Sequence, residues 1–153
     1  MTPEQLKRFH EVGCLSRCLI KMSEIFGSTI TKDQFCARFE TFFPSPKTNY
    51  GQLDGTAFVT ILQQLPLPKN MGAHGDYSVI DHHFNVEKRQ VFVISHVNLN
   101  PGCTDAIHHC SVLTKIGGAG FSLWTPSKDG SDVPLDLSKA DWIDKQCSGL
   151  VLF

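Results

Sequence analysis

Apolar residues in the first half of the chain recur at three- and four-residue intervals, while those of the second half fall in short β-branched and aromatic runs. Thr2-Pro3-Glu4-Gln5 combines an N-cap threonine, proline at the first helical position and a capping-box glutamine. This predicts a helix over 3–9 that stops before Gly13. From Cys14 onward, Leu15, Cys18, Leu19, Met22, Ile25 and Phe26 share one helical face, and Gly27 is a suitable stop. Thr31 and Gln34 repeat the capping-box pattern, with Ile30 and Phe35 as a hydrophobic staple. Phe35, Phe39 and Phe42 then continue one stripe as far as Pro44, read as a packing face rather than a ligand box. After a turn-rich stretch over 44–54, residues 56–65 predict a fourth helix ended by Pro66 and Pro68.

Beyond Asn70-Met71-Gly72 the period changes, and residues 77–84, 90–97, 109–116, 121–124 and 150–153 predict strands. Gly117-Gly118-Ala119-Gly120 supplies the positive φ of a tight hairpin between two of them. On the first predicted strand, Asp81-His82-His83 puts two histidines on opposite faces, one in the core and one on the surface. Helices followed by strands, with connections too short for helical crossovers, predict an α+β fold. Its expected architecture is an N-terminal helical layer packed on a C-terminal antiparallel sheet, in one domain over 1–153 without repeats or linkers.

Composition narrows the function. At 153 residues and 41% hydrophobic content, the chain supports one well-buried core and not two ordinary domains. Its formal charge is −1 and its basic residues are scattered, so the footprint needed to bind a phosphate backbone is missing and nucleic acid is not an expected partner. Neither a signal-peptide core nor an apolar run long enough for a bilayer stands out. The expectation is therefore a cytoplasmic protein without membrane contact, or one secreted as an effector without a recognisable signal peptide. Six irregularly spaced cysteines predict reduced thiols rather than a disulfide framework. The pairs Cys14/Cys18 and Cys103/Cys110, with His108 and His109 near the second, lack structural-zinc spacing. A histidine site spanning His82 or His83, His96 and His108 would require a particular strand register. No metal or cofactor is expected, and the pattern does not specify an oligomeric state.

Cys14 follows Gly13 and opens the strongest helix, where unpaired backbone N–H groups and the helix dipole stabilise a thiolate. Cys18, four residues on, lies on the apolar stripe and is the structural member of the pair. By position alone, Cys14 reads equally as a core thiol beside the cap. His109 begins a later strand, from which an imidazole can take a thiol proton; by itself it also reads as a surface histidine beside His108.

The two segments together change the balance. Gly13-Cys14-Leu15-Ser16-Arg17-Cys18-Leu19-Ile20-Lys21-Met22 resembles the nucleophile helix of the bacteriocin leader-processing endopeptidases and related small papain-like hydrolases, in which the catalytic cysteine stands four residues before a buried one. The stretch from His109 through the glycine turn to Phe121-Ser122-Leu123-Trp124-Thr125-Pro126 is similar to their histidine strand, hairpin and following strand. The resemblance implies a papain-like fold, with Cys14 as nucleophile and His109 as base. Thr125 stands where the family has an orienting Asp or Asn, with Asp129 as a carboxylate that could replace it. It also implies an oxyanion site built from the Cys14 backbone N–H with Arg8, which occupies the place of the family's glutamine, or His10. Leu15, where a glycine often follows the cysteine, narrows that site.

The implied activity is cleavage of a peptide or isopeptide bond in a peptide or protein substrate, with deamidation and acyl transfer using the same parts. A free-standing peptidase or a delivered effector fits better than a leader peptidase inside an exporter. Two alternatives stand beside it. One is a papain-like protein-binding module without catalysis, which Thr125 favours; the other is a metal-dependent protein using the histidines with Cys103 or Cys110.

Overall fold

Side-chain caps start three of the first four helices, two of them where the sequence puts them. In α1 (Pro3–Val12), the Thr2 side chain accepts from the Gln5 N–H while Gln5 Oε1 accepts from the Thr2 N–H at 2.8 Å. The same reciprocal pair, Thr31 and Gln34, opens α3 (Lys32–Phe39). Asp54 caps α4 (Gly55–Gln64) through Ala57, and α2 (Cys14–Ile25) has only Gly13 before it, with no side-chain cap. These elements come from a computed structural model in which residues 1–72, 75–89, 92–97 and 108–153 are described. Contacts divide the chain into two units, Met1–Pro68 with Pro126–Ser131, and Lys69–Thr125 with Asp132–Phe153.

In the first unit α2 packs against α3 and α4. Cys18, Leu19 and Met22 on α2, Phe35 and Phe39 on α3, and Ile61 on α4 are completely buried. Burying each large apolar side chain contributes about 1.5–3 kcal/mol, so this seam holds the unit together. The phenylalanine stripe is a packing face, with Phe35 and Phe39 at 4.9 Å between ring centroids. α1 runs on past the expected stop to Val12, because Gly13 still donates to the Phe9 carbonyl at 3.0 Å. The Phe9 ring is buried against Gly51, which sits at φ +89°; a Cβ there would lie 2.3 Å from Phe9 Cδ2. Gly51→Ala combines a strained left-handed backbone with this clash, and is expected to cost about 2–4 kcal/mol in urea denaturation. A loss under about 0.5 kcal/mol would show that the Gly51–Phe9 approach is soft.

The second unit carries a six-stranded sheet among its described residues, in the order β1-β6-β2-β3-β4-β5. The strands are β1 (Met71–Gly72), β2 (Phe92–Val97), β3 (His108–Gly117), β4 (Gly120–Pro126), β5 (Asp132–Ser138) and β6 (Ser148–Leu152). Each pair whose register is defined is antiparallel, which bears out the α+β class. Gly117 pairs with Gly120, leaving Gly118, at φ +57°, and Ala119 as the hairpin turn that the glycine cluster predicts. Residues 90 and 91 of the second expected strand lie outside the described residues.

The strand expected over 77–84 is a helix. Asp76 caps α5 (Tyr77–Asp81) by accepting from the Val79 N–H at 3.0 Å, and a π-helical turn, His82–Val86, continues it. Tyr77, Ile80 and Phe84 share its inner side, a three- and four-residue spacing masked by β-branched and aromatic residue types. His82 and His83 therefore do not alternate across a sheet, and neither is buried. β5 and α6 (Lys139–Asp144) were not expected as elements; Ser138 and Asp141 form the capping box that starts α6.

One face of this sheet presents Phe92, Ile94, Leu113, Phe121 and Leu123, packed with Tyr77 and Ile80 of α5 and Trp142 of α6. Tyr77 ties α5 to the hairpin by donating to the Gly120 carbonyl at 2.7 Å, and Asn85 donates to Asp81 and to the Ile116 carbonyl. No helix of the described residues is long and apolar enough to cross a membrane.

Candidate functional site

Cys14 is the first residue of α2 in the first unit, and its thiol is partly exposed. No side chain caps this helix end, and the positive end of a helix dipole favours a thiolate over a thiol. Cys18, one turn on, is completely buried, and burial together with the nearby Cys14 sulfur pushes its thiol well above the ordinary range. Burial likewise pushes the Cys36 and Cys147 thiols up to about 12. Among the described residues the five cysteines form no disulfide, and Cys14 is the most exposed of them.

The side chains implicated in oxyanion binding are already engaged. Arg8 donates through Nε to the Thr48 carbonyl at 2.6 Å, through one terminal nitrogen to Glu11 at 2.5 Å, and through the other to Asn49 at 3.1 Å. This fork ties α1 to the loop before Gly51. His10 Nε2 lies 3.1 Å from Lys32 Nζ. Burial, then Lys32 and Arg17, lower the His10 imidazole from its ordinary value, so Lys32 donates to an unprotonated Nε2.

The Pro126–Ser131 segment belongs to the same unit, held by the buried Arg17 of α2. The Arg17 guanidinium donates to the carbonyls of Ser127 at 2.5 Å and Ser131 at 3.0 Å. Asp129 lies in this segment and accepts from both the backbone N–H and the hydroxyl of Ser131, which hold its carboxyl below the usual range. The carboxylate that could replace a missing Asp or Asn is thus committed to its own loop.

In the second unit His109 lies near the start of β3 and is buried at 7% exposure, which removes the reading of a surface histidine. Its strand partner is His96 of β2, and the two rings stand edge to face with centroids 5.4 Å apart. His96 Nε2 lies 2.7 Å from Ser111 Oγ, and Ser111 donates to Thr125 Oγ1 at 3.1 Å. His96, Ser111 and Thr125 have no exposed surface, and all four residues continue the sheet face that carries Ile94 and Leu113. Burial, with His109 beside it, pushes the His96 imidazole down to about 3. The neutral ring donates through Nε2 to Ser111, so that both hydrogen bonds run toward Thr125. Sequence reasoning named His109 and Thr125, did not name Ser111, and treated His96 only as an undecided metal ligand. Strand alternation could have put His109 and Ser111 on one face; pairing them with His96 needed the β2–β3 register.

Among the described residues, no group of three or more His, Cys, Asp or Glu side chains could hold a metal ion. Cys103 and the side chain of His108, both named for such a site, lie outside the described residues. His82 and His83 turn instead to Glu87, at 3.7 Å and 2.8 Å. The chain matches no family model and shows no significant match to a curated protein.

Proposed function

We propose that this chain is a papain-like cysteine hydrolase acting on a peptide or isopeptide bond, with Cys14 as nucleophile and His109 as base. The observation that carries this reading is the environment of Cys14: a partly exposed thiol on the first residue of a twelve-residue helix whose amides no side chain caps. His109 supports it as a buried imidazole on a strand, set in a hydrogen-bonded neighbourhood rather than on the surface. Thr125 takes the third place, where its hydroxyl oxygen can accept an N–H without carrying the charge of an aspartate. Cys14 Sγ attacks the substrate carbonyl while its proton passes to His109. The developing oxyanion is held by the Cys14 N–H at the start of α2, whereas Arg8 would have to give up Thr48, Asn49 or Glu11. His109 then returns the proton to the leaving amine, and water resolves the thioester.

A binding module without catalysis is the second reading, favoured by the hydrogen bond that Thr125 already receives from Ser111. Iodoacetamide labelling followed by peptide mass spectrometry separates the two. An activated pair labels Cys14 at about pH 6 at least tenfold faster than an ordinary exposed thiol, and His109→Ala removes the acceleration. Labelling no faster than an ordinary thiol, and indifferent to His109→Ala, would leave the binding module.

A further inference from the structure

We propose that His96 is a positioning residue for His109, acting directly by ring contact and, through Ser111, by orienting the Thr125 hydroxyl. The inference rests on the hydrolase reading and deepens it: a chain of neutral hydrogen bonds takes the place of the single Asp or Asn that would otherwise orient the base.

All the parts lie on one face of one sheet. His96 and His109 are direct cross-strand partners, with rings 5.4 Å apart at an interplanar angle of 63°. His96 Nε2–H fixes the Ser111 oxygen at 2.7 Å, which leaves the Ser111 proton to point at Thr125 at 3.1 Å. A hydroxyl that receives a hydrogen bond becomes a better donor and keeps a defined lone pair, so Thr125 presents a single orientation rather than rotating.

The energetics argue against a packing role alone. This polar group continues a face whose other residues, Phe92, Ile94, Leu113 and Leu123, form an apolar core. An apolar side chain at position 96 would satisfy that layer. Histidine instead leaves its buried Nδ1 without a hydrogen-bond partner among the described residues, and a buried unsatisfied group is costly. The arrangement is accounted for if Nε2 has a task that the unsatisfied Nδ1 has to be tolerated for.

The test uses the full chain and three variants, His96→Phe, His96→Gln and Ser111→Ala. Two readouts are followed: the ring-nitrogen chemical shifts of His109, which report its tautomer, and the alkylation rate of Cys14 at about pH 6. His96→Phe keeps a ring against His109 but removes the donor; Ser111→Ala cuts the chain with the smallest change of volume. Both are expected to alter the His109 tautomer signal and slow Cys14 labelling about tenfold, whereas the glutamine amide retains a donor and holds the rate within about threefold of wild type. Should His96→Phe fail to fold, Ser111→Ala carries the test. Fast, His109-dependent labelling of Cys14 that neither variant changes by more than about twofold, with unchanged His109 shifts, overturns the positioning role and leaves the hydrolase reading intact. Slow wild-type labelling that ignores His109→Ala overturns both.

Discussion

Acidification from about pH 7 to about pH 4 is expected to lower the stability of the protein by about 3 kcal/mol through His96 alone. Burial, with His109 beside it, holds the folded imidazole near 3, against an ordinary value of 6.5. Between those values the unfolded chain binds a proton at this position and the folded chain does not. The unfolded state is therefore favoured as the pH falls, and the contribution is complete only above about pH 7. His96→Gln keeps a donor for Ser111 but cannot titrate, so the difference in pH slope between wild type and this variant isolates the effect from carboxylate titration common to both. Urea midpoints measured at successive pH values would give the slopes. Equal slopes for the two proteins would mean that water or a proton reaches His96 in the folded state, and that the polar chain is less enclosed than its burial indicates.

Replacing Arg17 by leucine is expected to cost about 3 kcal/mol, since two carbonyls lose a charged donor and a buried one left unsatisfied costs about 1–3 kcal/mol. Arg17 is only 4% exposed, and its fork holds the Ser127 and Ser131 carbonyls from both ends of a tight loop. The loop closes on itself through Ser127 N–H to Ser131 O at 2.9 Å and Gly130 N–H to Ser127 O at 3.0 Å. Without the guanidinium these short-range bonds remain, but its two ties between the loop and the helix that begins with Cys14 are lost. Amide exchange should accelerate over residues 127–131 and much less in α4. Arg17→Lys supplies one point donor in place of a fork and should recover less than half of the loss. A destabilisation below about 1 kcal/mol for Arg17→Leu would show that water replaces the guanidinium at both carbonyls.

The same distinction between local and long-range chemistry separates what could be read in the sequence from what could not. Thr2/Gln5 and Thr31/Gln34 are complete within four residues, so their helices were legible before any tertiary contact was known. Cys14 as a helix-opening residue and Cys18 as its buried neighbour follow from the same local periodicity. The segment after Asp76 was misread for a local reason too: valine, isoleucine, tyrosine and phenylalanine suggested a strand, while the cap and the spacing of Tyr77, Ile80 and Phe84 favoured a helix. Packing on the sheet decides such a contest, because β-branched residues lose little helical stability once an inner face is buried.

By itself the sequence determined the first four helices, the glycine hairpin and the α+β class, since each depends on residues near one another in the chain, while Cys14 and His109 were singled out only by a family resemblance. Tertiary structure alone decided how those residues are served. The β2–β3 register sets His96 against His109, the β3–β4 hairpin brings Ser111 to Thr125, and α2 reaches across the chain from Arg17 to the Ser127–Ser131 loop. A one-residue slip of β2 would turn His96 to the opposite face of the sheet without altering any local preference, and that is why the polar chain could be seen only once the strands were paired.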